Sequence, residues 1–78
     1  MTKGKVIETL KKMKWLDSHW RLKDFIVLEN ENLIKYSYLH GDMGIVDKVI
    51  YYKNNGFCEI YRLNNYYGNT ELEQTLYI

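Results

Sequence analysis

The sequence predicts an α+β fold, one N-terminal amphipathic helix packed on a twisted antiparallel meander sheet of four to five strands. Three observations predict it. The apolar period is 3 to 4 residues up to about Leu16 and close to 2 from Trp20 onward. Turn chemistry recurs at short intervals, in Glu29-Asn30-Glu31-Asn32, Gly41-Asp42-Met43-Gly44 and Asn54-Asn55-Gly56. Eight tyrosines occur in 78 residues, seven of them between Tyr36 and Tyr67, on segments that alternate as strands do. Residues 1 to 78 read as one domain, because a chain this short closes only a single thin core, burying roughly 60% of its unfolded surface.

The helix is expected over Lys3 to Leu16. Val6, Leu10, Met13 and Leu16 share one stripe with Ile7 on its flank, and Glu8 and Lys12 stand in the favourable i, i+4 order. Trp15 falls among lysines on the opposite face. Two readings of it stay open: a partner contact, or a helix that ends earlier and lets the ring fold back. After a turn at Asp17-Ser18-His19, the first strand is expected from Trp20 to Leu28, and the run Phe25-Ile26-Val27-Leu28, apolar on both faces, favours a central position.

Leu33 to His40 is the return strand, with Ile34, Tyr36 and Tyr38 on one face. Ile45 to Lys53 follows, with Val46, Ile50 and Tyr52 on one side and Ile45, Val49 and Tyr51 on the other, the first side being the expected home of a core Tyr52. Asn54-Asn55-Gly56 gives a tight hairpin, since Asn-Gly tolerates positive φ. The fourth strand spans Phe57 to Asn64, with Cys58, Ile60 and Arg62 opposite Phe57, Glu59, Tyr61 and Leu63. Beyond an aromatic loop at Asn64 to Asn69, Leu72, Gln74, Leu76 and Ile78 alternate as a fifth strand, which Thr75 and Tyr77 favour over a terminal helix. One helix covers about three strands on one face, so a second covering is expected: a curled sheet, a homodimer or a partner.

Function classes narrow by chemistry. Cys58 is the one cysteine and has no disulfide partner; with two histidines it falls short of a four-ligand zinc site. It reads as a small buried residue. A reducing cytoplasm fits, as neither a secretory h-region nor an apolar run of bilayer length appears. His40-Gly41-Asp42 places an imidazole near a carboxylate, but a turn capped by Asp42 explains the same residues. No glycine-rich phosphate loop appears, no metal or cofactor is expected, and catalysis has no candidate residue, so the expectation is a non-enzymatic protein.

Charge is asymmetric. Residues 1 to 23 hold seven cations and two carboxylates, whereas residues 24 to 78 hold four cations and eight carboxylates. Lys5, Lys11, Lys12, Lys14, Arg21 and Lys23, with Trp15 and Trp20 among them, form the nucleic-acid-binding alternative, in which lysines meet phosphates and rings stack on bases. The near-neutral total argues for placing it second. The leading candidates are aromatic anchors for a protein partner: Tyr36, Tyr38, Tyr51, Tyr66 and Tyr67, with Trp15 outlying.

The short length, the lack of proline, the Asn54-Asn55 and Asn64-Asn65 pairs and the Lys, Ile and Tyr-rich wording give a compositional resemblance. The chain resembles small accessory proteins of phages and mobile elements in low-G+C Firmicutes. That resemblance implies stoichiometric inhibition or redirection of a host or defence enzyme in the host cytoplasm, as anti-CRISPR proteins do. The near-neutral charge departs from the acidic inhibitors that mimic DNA, and suits a tyrosine-centred contact instead.

Overall fold

The computed structural model describes residues 2–16, 18, 20–39, 45–64 and 69–78, with the side chains of 39, 45–47, 63, 64, 69 and 70 left aside. Helix α1 spans Lys3–Lys12, a single 3-10 turn covers Leu22–Asp24, and five strands follow: β1 Phe25–Glu29, β2 Leu33–Leu39, β3 Ile45–Tyr52, β4 Phe57–Asn64 and β5 Asn69–Tyr77. The strands pair antiparallel in sequence order, β1-β2-β3-β4-β5. Hairpin connections dictate that order, because each short loop returns the chain beside the strand it has just left.

Helix α1 starts at Thr2, whose hydroxyl accepts from the Lys5 amide at 3.3 Å. It ends one turn before the predicted Leu16. Met13 is the C-cap, Lys14 takes the left-handed φ of 63°, and the amides of Lys14 and Trp15 donate to the carbonyls of Lys11 and Leu10 at 3.1 and 2.9 Å. This paired 5→2 and 6→1 bonding is a Schellman stop, and it turns Trp15 onto the core as the apolar contact of that motif. Early termination also explains why Met13, expected in the buried stripe, is exposed, while Val6, Ile7 and Leu10 carry the burial. Glu8 pairs with Lys11 at 3.3 Å, not with Lys12.

The predicted first strand loses its beginning. Asp24 Oδ2 accepts from the Arg21 amide at 2.8 Å, and the Asp24 amide donates to the Arg21 carbonyl at 2.9 Å. These local bonds draw the backbone into a turn instead of a ladder. What remains, β1, is an edge strand, where the two-sided apolar run had favoured a central one. Its short pairing has a built stop: Asn30 Oδ1 accepts from the amides of Asn32 and Leu33 at 2.8 and 2.9 Å.

Register assigns the sheet's two faces. On the helix side, Ile34, Tyr51 and Cys58 form one cross-strand row, and Tyr36, Val49 and Ile60 form the next. Those six and Phe25 are buried with Val6, Ile7, Leu10, Leu16 and Trp20 in one core. Tyr36 sinks its ring completely and donates from its hydroxyl to the Lys3 carbonyl at 2.8 Å, tying sheet to helix. Burial raises its pKa, with the charge of Glu29 adding to the effect. Arg62 donates to the Trp15 carbonyl and meets Glu73 at 2.9 Å, which fixes the segment after α1 over the end of β4. Lys3 and Lys53 flank Glu29 at 3.8 and 2.6 Å.

Candidate functional site

The helix leaves the other sheet face open, and register determines what stands there. Leu33, Tyr52, Phe57 and Tyr77 form one row; Leu28, Lys35, Ile50, Glu59 and Thr75 the next; Ile26, Ser37, Lys48, Tyr61 and Leu72 the third. Cys58 and Ile60 point into the core, so the alternation of a strand sends Phe57, Glu59 and Tyr61 outward. Four of the large apolar side chains on this face are at least half exposed: Tyr77 at 71%, Leu28 at 60%, Ile26 at 51% and Leu72 at 50%.

A bulge positions Leu72. Ile60 pairs with Gln74 but Tyr61 pairs with Leu72, leaving Glu73 as an extra residue on β5. The predicted alternation of Leu72 with Gln74, Leu76 and Ile78 is therefore broken: Leu76 stays on the core side opposite Cys58, while Leu72 crosses to the open face beside Tyr61.

Two charged groups of the face, Glu59 and Lys48, are engaged with its rings. Tyr52 donates to Glu59 at 2.5 Å, the main cause of a tyrosine pKa pushed up to about 12. Lys48 lies 4.6 Å from the Tyr61 ring centroid, a cation over a ring face. Partial burial, then the Glu59 charge, raises the Tyr61 pKa. Phe57 packs between Tyr52 and Tyr77, with ring centroids 6.0 and 5.3 Å away. The result is a pre-ordered surface of aromatic and aliphatic groups with fixed polar tips. Rings held in place this way lose little entropy when a partner covers them. Among the described residues there is no pocket and no group of three or more His, Cys, Asp or Glu able to hold a metal. No described helix is long and apolar enough to cross a membrane.

The residues expected to contact a partner are distributed differently. Tyr36 and Tyr51 belong to the core beneath the helix, where no partner reaches them. Tyr38 is on the same side, stacked on Trp20 at 4.6 Å between centroids and tilted against Phe25 at 5.7 Å. Trp15 is half-buried against the core. Tyr66, Tyr67, His40, Gly41, Asp42 and His19 lie outside the described residues. Tyr52, expected in the core, stands on the open face, and Phe57, Tyr61, Tyr77 and Leu72 join it there without having been anticipated as contacts.

The basic alternative also changes shape. Lys5, Lys12, Lys14, Arg21 and Lys23 are exposed, and Lys11 is tied to Glu8. Both tryptophans that were to stack on bases are instead packed against the protein: Trp20 is buried against Tyr38 and Phe25, and Trp15 is half-buried against the core. Cys58 is buried as read from the sequence, and burial, then the nearby Glu59 charge, pushes its thiol up to about 12. It is a core residue with a protonated thiol, the reverse of an activated nucleophile.

Comparison with protein-family models, with curated proteins and with solved structures finds no match to this chain.

Proposed function

We propose that this chain is a small non-enzymatic protein that acts by stoichiometric binding to another protein, through the sheet face opposite its helix. The observation that carries the reading is that Ile26 and Leu28 on β1 and Leu72 and Tyr77 on β5 stand exposed on one face, either side of the ordered Tyr52, Phe57 and Tyr61, while α1 covers the other. Exposed apolar patches rimmed by polar groups are typical of protein interfaces, and tyrosines are frequent anchors in them. The partner's complementary surface is apolar, with a carboxylate or carbonyl to meet Lys35 or Lys48. In keeping with the compositional resemblance, the partner is a host or defence enzyme that this protein inhibits or redirects in the host cytoplasm, in the manner of a phage-encoded inhibitor such as an anti-CRISPR.

The test compares pull-downs from host lysate by wild-type chain and by Leu72→Ala/Tyr77→Ala, quantified by mass spectrometry. A specific partner is expected to be recovered by the first and strongly depleted with the second. Recovery that is the same for both overturns the assignment of the face. A salt titration with DNA or RNA decides against the reading in another way: binding that strengthens as salt falls, and weakens on Lys5→Ala/Lys12→Ala, transfers function to the helix.

A further inference from the structure

We propose that β1 is a pairing edge, through which two copies of this chain join antiparallel about Val27 into one ten-stranded sheet. A sheet ends at its first and last strands, and each presents a row of backbone N–H and C=O groups on its outer side. The two edges here are built differently. β5 carries the bulge at Glu73 and the exposed carboxylates of Glu71 and Glu73, features that discourage another strand from docking. β1 has none of these over Phe25-Ile26-Val27-Leu28: it pairs in regular register with β2 and contains neither charge, proline nor bulge until Glu29.

The sequence of this edge is complementary to itself. With a two-fold axis at Val27, Ile26 of one copy stands opposite Leu28 of the other on the open face, and the two side chains exposed at 51% and 60% cover one another. Val27, half-buried at the rim of the core, meets its own counterpart. Charges at the ends of the strand agree with the same axis. Arg21, Lys23 and Asp24 precede β1, a net basic end in which Asp24 is bonded to the Arg21 amide, while Glu29 closes the strand and Glu31 follows it, so antiparallel pairing brings the net basic end of one copy to the acidic end of the other. Glu29 is already held by Lys53, so Glu31 is the carboxylate that Lys23 faces. The contact is isologous and closed, which limits it to a dimer.

Five residues of strand make a small interface, well under the ~1,200 Å² of a stable complex, so association is expected at about 0.1 to 1 mM. Light scattering over that range is predicted to rise from the 9.5 kDa chain mass toward twice that value. Two double variants at exposed positions test the register. Ile26→Lys/Leu28→Lys sets like charges opposite each other across the axis and is expected to stay monomeric, while Ile26→Lys/Leu28→Glu sets opposite charges there and retains the dimer. Any other pattern overturns the proposal, including a wild-type monomer at about 1 mM or two variants of equal mass. Independently of any variant, amide exchange within residues 25 to 29 of the wild-type chain is expected to slow as concentration rises. Concentration-independent exchange there contradicts the pairing. Leu72→Ala/Tyr77→Ala changes only the far strand β5 and leaves β1 intact, so its loss of partner capture with the dimer retained separates the two readings.

Discussion

Lys14 holds a backbone position that suits glycine. Its φ of 63° closes the Schellman stop of α1, and a side chain with a Cβ is strained there. Lys14→Gly is therefore expected to stabilise the fold by about 0.5 to 1 kcal/mol, read from chemical denaturation; the gain is partly offset by glycine's freer unfolded chain. Loss of stability would contradict the helix stop described above. Cys58 gives a second test at this scale. Its thiol is raised from 9.0 to about 12 by burial, so the folded state favours the neutral form. The associated stability is fully present below about pH 9 and is lost as pH rises through about 12. At pH 8 a thiol reagent is expected to label the folded protein on the order of 10³-fold more slowly than the unfolded chain. Labelling at the unfolded rate would show that Cys58 is not in the core.

Single residues also mark where the sequence was legible. Cys58 and Ile60 read as inward from their alternation, and they are. Combined with the hairpin, that reading contains more: Tyr52 pairs with Phe57 and Tyr51 with Cys58, which sends Tyr51 inward and Tyr52 outward. The signal for the open-face aromatics was present in this register. It was obscured because apolar residues line both sides of β3, and alternation alone does not tell the two sides apart.

Among elements, the β3–β4 hairpin depends most on one backbone conformation. The connection is four residues long, with a bond from the Gly56 amide to the Tyr52 carbonyl at 3.0 Å, and Gly56 adopts φ 67°. Asn-Gly therefore marks the turn, but as a longer loop than the tight two-residue form. A Cβ on Gly56 would meet the Ile78 carbonyl oxygen at 3.0 Å, while the Gly56 carbonyl accepts from the Ile78 amide at 3.0 Å. Gly56→Ala is expected to destabilise by about 1 to 2 kcal/mol, measured as a lower denaturation midpoint with an unchanged slope. A neutral result would contradict this turn. The early helix end was one of the two readings the sequence left open for Trp15, whereas the turn at Asp24 and the bulge at Glu73 were not legible, for a common reason. Each follows from a local hydrogen bond or a register slip that hydrophobic period does not encode.

At the scale of the whole molecule, one helix on a five-stranded meander accounts for the division of labour among the tyrosines. Tyr36 and Tyr51 form the core and Tyr38 packs on Trp20, while Tyr52, Tyr61 and Tyr77 stand on the uncovered face with Phe57 and Leu72. The fold class and strand order were legible because hairpins force a meander. The choice of open face was not, since it depends on which side the helix takes. The exposed helix lysines and the open aromatic face lie on opposite sides of the sheet, so substitutions on one leave the other intact. The most direct measurement is the affinity of the co-purified partner for Tyr77→Ala and, separately, for Lys12→Ala, determined by calorimetry with both variants confirmed as folded. The predicted result is a loss of about 2 kcal/mol, or roughly 30-fold, for Tyr77→Ala and none for Lys12→Ala. Wild-type affinity in Tyr77→Ala together with a loss in Lys12→Ala would contradict it.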